Sequence, residues 1–401
     1  MDCVPRHAGF RRWERAVKSG LRRHTVRMSH TPIDLLRRRL LLAMPLAFAA
    51  GPVSAMAQRT APRRQRGATR IDVRSTGARG DGMNDDTAAF QRAIDSLPED
   101  GGTVSVPAGS YVIDPTRRVV LRSRMHLELA ADARLLAKPN AADRAYVLEG
   151  ARVRDVEISG GRIQGDRDGH LGDTGEWGHG IALYGARRVT VRDIHVSRCW
   201  GDGIAIGGKR AKKNDKVPEP SEDIVLVNVI STGNRRQALT IGHSRGVRVY
   251  DCQFSDTAGT MPQCGIDLEA DPPWTVERAH IENCRINGNH GSGIQIYHHV
   301  KGVTVRGCTI EDNRGFGVLA IEAADGTIAD NEIRDNGYAG VLLRTRTRGF
   351  RVNGNRFRGN SLRRRGGAKR AKLPVDAHIR RSEDTSEISL SGNQFLDDAG
   401  R

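Results

Sequence analysis

Aromatic residues are scarce in this chain: they make up 4% of its 401 residues. An ordinary compact core relies on large aromatic side chains, so their scarcity argues against one. The six cysteines include no Cys-x-x-Cys pair, and nothing in their spacing indicates a zinc or dithiol-redox site. Glycine is abundant instead, with 46 residues, and this composition favours a fold built of thin, tightly turned layers.

Long apolar runs are also missing. The run Leu40–Ala50 is too short to cross a bilayer comfortably, but it follows Arg37–Arg39 and precedes the small residues of Ser54–Ala57. This order is typical of an export signal, and the paired arginines resemble a twin-arginine signal. The alternative is an N-terminal membrane anchor.

The signal predicts an exported protein, either periplasmic or extracellular, with no stable membrane span in its mature form. We assign the signal to residues 1–57, in which residues 1–27 are an upstream extension if Met28 is the true start. Residues 58–69 are predicted to form a disordered basic tether. Residues 70–398 are predicted to form the folded domain.

The charge is strongly positive, at +17, and part of it lies in residues 1–57, which hold 11 Lys/Arg against 3 Asp/Glu. The remaining surplus favours an anionic partner, either an acidic polysaccharide or a nucleic acid. The sequence contains no recognition helix, zinc-ligand spacing or aromatic nucleic-acid signature. We therefore predict a polysaccharide substrate and no nucleic-acid partner, and we predict no oligomeric state.

Residues 71–130 have the pattern strand, tight turn, amphipathic helix, glycine turn, strand. Asp86 suits the N-cap of a helix whose Ala89, Phe90, Ala93 and Ile94 share one face. The neighbouring acids Asp81 and Asp85 are therefore interpreted as structural rather than catalytic.

In order and spacing, this segment resembles the N-terminal cap of the pectate-lyase-like superfamily. That superfamily includes polygalacturonases, rhamnogalacturonase-like enzymes, epimerases and phage tailspikes. The resemblance implies an all-β fold, namely a right-handed parallel β-helix with an N-terminal α-helical cap that seals one end of the solenoid.

Repeats begin near residue 150 and extend to 398. A phrase of one small residue followed by alternating apolar residues recurs, for example in Gly203–Ile206, Gly265–Leu268 and Gly293–Ile296. A second column carries Cys or Asn and includes Cys252, Cys284, Cys308, Asn331 and Asn355. We expect stacked coils with aliphatic ladders inside and Asn or Cys ladders at the turns, with the cysteines buried and metal-free.

The candidate catalytic groups lie at outward positions of the first phrase. Asp267 and Glu269 are two residues apart on one strand face, so their Cα atoms should lie about 7 Å apart. Paired carboxylates at such a spacing suit an inverting glycoside hydrolase. The next coil offers Gln295 and Tyr297 at the equivalent positions, with His298 beside them.

Further polar residues cluster just before the phrase. Asp202 is a third candidate catalytic acid, and His179 could serve as an acid or a base. Arg236 could bind a substrate carboxylate in bidentate fashion, with Gln237 beside it. Trp177 and Trp200 lie in the same coils and could stack on sugar rings.

The polygalacturonase site is not intact in this sequence. The resemblance to polygalacturonases implies Asn-Thr-Asp-Gly, Gly-Asp-Asp and Gly-His-Gly on three successive coils. This chain instead has Gly178-His179-Gly180, Gly201-Asp202-Gly203 and Arg236-Gln237-Ala238, so only Asp202 matches an acidic position of that set. A different hydrolase that requires no cofactor is the favoured prediction. The alternatives are a uronate lyase or epimerase, with Ca²⁺ held by Asp202, Asp267 and Glu269, and a non-catalytic carbohydrate-binding or adhesin solenoid. A one-residue slip in register would turn these carboxylates inward.

Overall fold

A computed structural model describes residues 60–210, 217–361 and 378–396. The predicted signal, residues 1–57, lies outside the described residues, as do 58–59, 211–216, 362–377 and 397–401. The described chain winds into a parallel β-helix whose strands stack into three ladders, A, B and C. No helix in the described part is long and apolar enough to span a membrane.

Ladder A consists of the strands Val119–Val120, Arg144–Ala151, Trp177–Tyr184, Ile204–Gly207, Leu239–Ile241, Ile266–Glu269, Ile294–Lys301, Val318–Ala324, Val341–Arg344 and Ile379–Arg381. Ladder B consists of Arg70–Asp72, Gly102–Val106, Met125–Leu129, Arg154–Ser159, Arg187–Arg192, Ser221–Val227, Arg248–Tyr250, His280–Glu282, Thr304–Arg306, Thr327–Ala329, Arg351–Asn353 and Ser389–Ser391. Ladder C consists of Asp81–Asp85, Gly109–Ile113, Ala133–Ala137, Arg162–Gln164, His195–Ser197, Ile230–Thr232, Gln253–Ser255, Arg285–Asn287, Thr309–Glu311, Glu332–Arg334, Arg356–Arg358 and Gln394–Phe395. The short strands Ser244–Arg245 and Val276–Glu277 lie between ladders A and B.

The repeated phrase builds the core as the alternation predicts. On ladder A, Ile204 pairs with Leu239, which pairs with Ile266, which pairs with Ile294, and all four are completely buried. Each coil therefore places its aliphatic residues directly over those of the preceding coil. This confirms both the all-β parallel β-helix and the register on which the outward positions depend.

The turn ladders are also present. In the column identified from the sequence, the amide of Asn331 donates to Asn355 at 2.8 Å, and the amide of Asn355 donates to Asn393 at 3.0 Å. Cys252, Cys284 and Cys308 continue this column as buried free thiols.

A second asparagine column escaped the sequence analysis. The side-chain amide of Asn289 donates to Asn313, that of Asn313 donates to Asn336, and that of Asn336 donates to Asn360, each from one coil to the next over 2.8–3.0 Å. The spacing of about one coil between these residues was the available signal, and it was overlooked because the residues lie outside both recurring phrases.

The N-terminal helix is Thr87–Asp95, and it buries Ala89, Phe90, Ala93 and Ile94 as predicted. Asp86 occupies the position before the helix, but its carboxylate does not cap it. That carboxylate accepts hydrogen bonds from the backbone N–H groups of Arg79 and Gly80, which fixes the preceding turn. The role of the helix as a seal for the solenoid stays a prediction.

Two predicted boundaries differ from the structure. Coils do not begin at residue 150, because strands from Arg70 onward already stack on ladders B and C. The weaker repeat of these first coils hid them from the sequence analysis. The predicted disordered tether is also wrong for residues 60–69, which lie against ladder B through Arg64 and Arg66.

We expect Asn336→Ala to lower the free energy of unfolding by about 2–4 kcal/mol. Asn336 is completely buried, and its side chain makes four hydrogen bonds, to Asn313 (twice), Ile310 and Asn360. Chemical denaturation would measure the change, and Asn353→Ala, at a partly exposed position outside this column, is the control. Equal losses in the two variants would contradict a structural role for the column.

Candidate functional site

Two outward rows run along the face of ladder A. In the first, Ala205 pairs with Thr240, Thr240 with Asp267, and Asp267 with Gln295. The second row contains two pairs, Tyr184 with Gly207 and Glu269 with Tyr297, and Gly242 lies between them. The aliphatic residues that alternate with these rows point into the core. Asp267 and Glu269 therefore do lie on the outward side of the strand.

The second row contains a notch at Gly242. A Cβ built at Gly207 would lie 3.3 Å from the ring of Tyr184, so that ring leans over Gly207. A Cβ at Gly242 would meet only backbone atoms as its three nearest neighbours, at 3.1–3.6 Å. Gly242, which is partly exposed, adds no side chain to the row, and this gap (the notch) lies between Gly207 with its covering Tyr184 on one side and the partly exposed Glu269 on the other.

Asp267 is completely buried even though it points outward, which differs from the exposed acid expected from sequence. The amide of Gln237 donates to its Oδ2 at 2.7 Å, and the amide of Gln295 donates to its Oδ1 at 3.1 Å. Cys264 links the two glutamines, because its N–H donates to Gln237 Oε1 and its thiol approaches Gln295 Oε1. The two glutamines thus cover the carboxylate that they orient.

Burial raises the pKa of Asp267 to about 7, and the neighbouring charge of Glu269 adds to this rise. Arg236 opposes it, since a nearby cation favours the ionised carboxylate. A carboxyl group that titrates near neutral pH beside a second, more exposed carboxyl group resembles the acid–base pairs of hydrolytic enzymes.

Asp202 and Arg236 form a buried ion pair on the neighbouring coils. Arg236 Nη1 lies 3.2 Å from Asp202 Oδ2, and its Nε lies 3.2 Å from Glu176 Oε2. Thr240 Oγ1 also donates to Asp202, at 2.9 Å. Burial alone would lower the pKa of Arg236, but the surrounding acids raise it above its ordinary value. Arg236 is therefore committed to protein carboxylates rather than free to bind a substrate carboxylate.

His179 is buried beneath this pair. Its Nδ1 accepts a hydrogen bond from the backbone N–H of Asp202 at 3.1 Å, and its ring stacks on Tyr146 with centroids 5.3 Å apart. Burial lowers the pKa of His179 to about 4, against the opposing charge of Asp202. A neutral imidazole held in this way supports Asp202 and does not reach solvent.

The two tryptophans are already in contact with protein groups. Trp200 lies 3.8 Å from the Arg235 guanidinium and 3.9 Å from the stacked ring of His170. Two groups this close to one ring centre must cover its opposite faces, so neither face of Trp200 is open to a sugar. Trp177 is covered by Arg144 at 4.8 Å. Trp200 therefore has no open face for the predicted stacking on a sugar, and the ring of Trp177 is partly covered.

Tyr297 and His298 lie on the coil beyond the carboxylates. Their rings are 3.9 Å apart, and His298 Nδ1 lies 3.2 Å from Glu322. Burial, followed by the nearby charges of Glu269 and Glu322, raises the pKa of Tyr297. Tyr297 lies beside Glu269 in the second outward row.

The acids proposed for Ca²⁺ are not assembled into a metal site. Within the described ranges, no group of three or more His, Cys, Asp or Glu residues is arranged to hold a metal ion. Asp202 and Asp267 instead direct their oxygens toward Arg236, Thr240 and the two glutamine amides.

Sequence reasoning missed Tyr184 and Glu176. Tyr184 occupies an outward position of the recurring phrase, as Thr240 does, so the alternation itself was a usable signal. Glu176 lies in a loop before the phrase and carried no sequence signal.

A family model described as a right-handed β-helix region matches residues 275–395. Among known proteins, the Bacillus subtilis protein YclG is 27% identical over 336 residues, which is 78% of this chain and 52% of YclG. The chain thus spans about half the length of this relative.

Solved structures share the fold at low sequence identity. The A-module of the Azotobacter vinelandii mannuronan C-5 epimerase AlgE4 matches with a TM-score of 0.55 and 16% identity, covering 81% of this chain and 97% of that one. The Streptococcus pneumoniae surface adhesin PfbA matches at 0.59 and 17%, covering 82% and 97%. The Yersinia enterocolitica family 28 exopolygalacturonase matches at 0.51 and 15%, covering 81% and 79%. Enzymes and an adhesin thus share this architecture, and fold alone does not separate them.

The elevated pKa of Asp267 predicts a pH-dependent stability. Between the unfolded pKa near 4 and the folded pKa of about 7, only the folded state keeps this proton. The free energy of unfolding should therefore fall as pH rises through this range, by up to about 3 kcal/mol between pH 5 and pH 8. Asp267→Asn should remove most of that dependence in denaturation curves, whereas the exposed Asp330→Asn should retain it. The same pH dependence in both variants would argue against a raised pKa.

Proposed function

We propose that this chain, which has the parallel β-helix fold of the proteins named above, is an exported enzyme that cleaves an acidic polysaccharide by glycoside hydrolysis. The observation that carries the proposal is the Asp267–Glu269 pair beside the Gly242 notch. One carboxyl group is completely buried with a pKa of about 7, and the other is partly exposed beside a position that has no side chain.

Glu269 is the residue of this pair that would touch the substrate. A sugar ring lying over Gly242 would bring its glycosidic oxygen alongside Glu269, whereas Asp267 would stay beneath its two glutamines. Because two close carboxyl groups hold a proton more tightly than one, the pair retains a proton near neutral pH that Glu269 could donate to the leaving oxygen. Water would then add to the sugar carbon freed by this cleavage, and its proton would pass back to Glu269, which restores the protonated pair. Asp202 is assigned to holding Arg236 and Thr240 at the floor of the notch rather than to proton transfer.

The charges around the groove favour an acidic chain. Arg118 and Lys209 lie near its N-terminal end, where both contact Glu149. Arg344 and Arg380 lie on ladder A at its C-terminal end. Cations on both sides of an acidic centre would bind the carboxylates of flanking sugar units while leaving the bond to be cleaved at Glu269.

A second candidate is non-catalytic carbohydrate binding, favoured by the complete burial of Asp267 and Asp202. In that case the buried acids would serve only to order the groove. The similarity in fold to the adhesin PfbA accords with this alternative.

We expect the purified mature protein to release new reducing ends from homopolymers of galacturonate or mannuronate, and few from a neutral glucan. Glu269→Gln should lower the rate by about 10²–10⁴-fold, the usual contribution of a general acid. Asp267→Asn should lower it less and flatten its fall above pH 7. Glu332→Gln, at an exposed position on ladder C, is the matched control.

The assay would follow reducing ends and the ultraviolet absorbance of unsaturated uronates together, with calcium or with a chelator. If the products carry the absorbance of unsaturated uronates, the enzyme is a lyase and not a hydrolase. A change in uronate configuration without cleavage would indicate an epimerase. Binding without any product would leave the non-catalytic alternative.

Filling the notch should also prevent productive binding. Gly242→Leu adds a side chain at the partly exposed position beside Glu269, and we expect an affinity loss of about tenfold or more. Thr304→Leu, at an outward position of ladder B, should change neither binding nor activity. Isothermal titration with an acidic oligosaccharide would measure both, and unchanged affinity in Gly242→Leu would exclude the notch as the binding site.

A further inference from the structure

Residues 60–69 contact ladder B in a way that suggests specific recognition. The side chain of Arg64 is only 6% exposed, although arginine is normally a surface residue. Its guanidinium donates to Thr190 Oγ1 at 2.8 Å, to Asp223 Oδ2 at 2.7 Å, and to the carbonyls of Val189 and Asp223 at 3.2 Å each. Four acceptors converge on one guanidinium, which is the geometry of a built pocket.

The contacts continue along the segment in both directions. Thr190 Oγ1 donates to the carbonyl of Pro62 at 2.8 Å. Arg66 Nη1 donates to Glu157 at 2.8 Å, and the side chain of Glu157 is 1% exposed. The N–H of Gly67 then donates to the carbonyl of Asp100 at 2.8 Å. The segment thus runs across several coils rather than along one.

The groove under this segment is formed by outward residues of ladder B. Glu157 and Thr190 are paired neighbours in one outward row, and Asp223 lies on the next coil. Glu157 is also bound by Arg192, and Asp223 by Arg248, so the acids are held in place from the protein side. Because Glu157 and Asp223 are already held in place, little further ordering of the groove is needed when it binds one buried and one partly buried arginine.

We infer that the outer face of ladder B is a binding groove for an extended, arginine-bearing peptide, and that residues 60–67 of this chain are its resident ligand. This strap (residues 60–67) binds the groove through charge-assisted hydrogen bonds to Asp223 and Glu157. It joins the first coil to coils more than a hundred residues later in the sequence, so it closes only after those coils have stacked. This function is separate from the groove on ladder A.

Limited trypsin digestion of the full chain tests the inference, because the strap contains its own cleavage sites. The readout is the rate at which a new N-terminus appears at Gly67, followed by mass spectrometry. A docked strap is cut only when it opens, so cleavage after Arg66 should be at least about tenfold slower than in a free synthetic peptide of residues 60–70. Equal rates in the protein and in the free peptide would overturn the inference.

Two variants separate docking from general stability. Asp223→Asn and Arg64→Ala should each accelerate cleavage after Arg66 by about tenfold, since each weakens the pocket. Asp330→Asn removes a similar exposed acid at a turn and its ion pair with Arg306, and should leave the rate unchanged. Thermal denaturation would show whether the body of the solenoid stays folded in the first two variants. Acceleration only in step with global unfolding would contradict a local pocket.

Competition tests recognition directly. An excess of the synthetic peptide of residues 60–67 should displace the strap and accelerate its cleavage in the wild-type chain. The same peptide with Ala in place of Arg64 should not. If neither peptide changes the rate, the groove does not bind this sequence as a ligand, and the inference fails.

Discussion

The stacking of each coil on the one before it is the constraint on which the rest of the structure depends. Backbone hydrogen bonds between successive parallel strands hold equivalent residues of neighbouring coils directly over one another. Each side chain therefore lies beside the residue at the equivalent position of the next coil. Its size and polarity must be compatible with the whole column of such residues. Aliphatic residues satisfy this by packing, and asparagines satisfy it by donating and accepting along the stack.

The same constraint explains the unusual chemistry of ladder A. A column of outward residues lies close enough for side chains from neighbouring coils to cover one another. Gln237 and Gln295 are drawn over Asp267 from the coils on either side, and this cover keeps water away from its carboxyl group. Burial then raises the pKa, while the rigid register fixes the partners. A buried carboxyl group with a raised pKa is thus produced by stacking rather than by a local motif.

The outer faces of ladders A and B differ in how they are used. On ladder A, the small residues Gly207 and Gly242 interrupt the outward row and leave a notch beside Glu269. On ladder B, the row that contains Glu157 and Thr190 is covered by the N-terminal strap of the chain itself. The outer face of ladder B is thus occupied by a segment of the chain itself, whereas that of ladder A is the face on which we propose that a polysaccharide binds. Their distinction lies in side-chain size and charge, since the backbone of the two ladders is alike.

The fold could be inferred from the sequence because its signal is local and repeated. Alternation of apolar residues in phrases such as Gly265–Leu268 determines which side chains face the core, and repetition at about one coil length determines the parallel stack. The outward placement of Asp267 and Glu269 followed from the same alternation. The first coils were missed because their repeat is weak, and the helix-capping role of Asp86 was misjudged because its carboxylate binds the preceding turn instead.

Burial, ion pairing and docking were decided by the tertiary structure. Nothing in the sequence near Asp267 indicates that Gln237 and Gln295, about one coil away on each side, would close over it. Arg64 lies in a segment whose composition is typical of disorder, and its pocket is formed by Thr190 and Asp223, more than a hundred residues away. The sequence by itself determined the periodic framework, because each strand carries its own pattern. The chemistry of the two outer faces depends on side chains from different coils, which only the wound chain brings together.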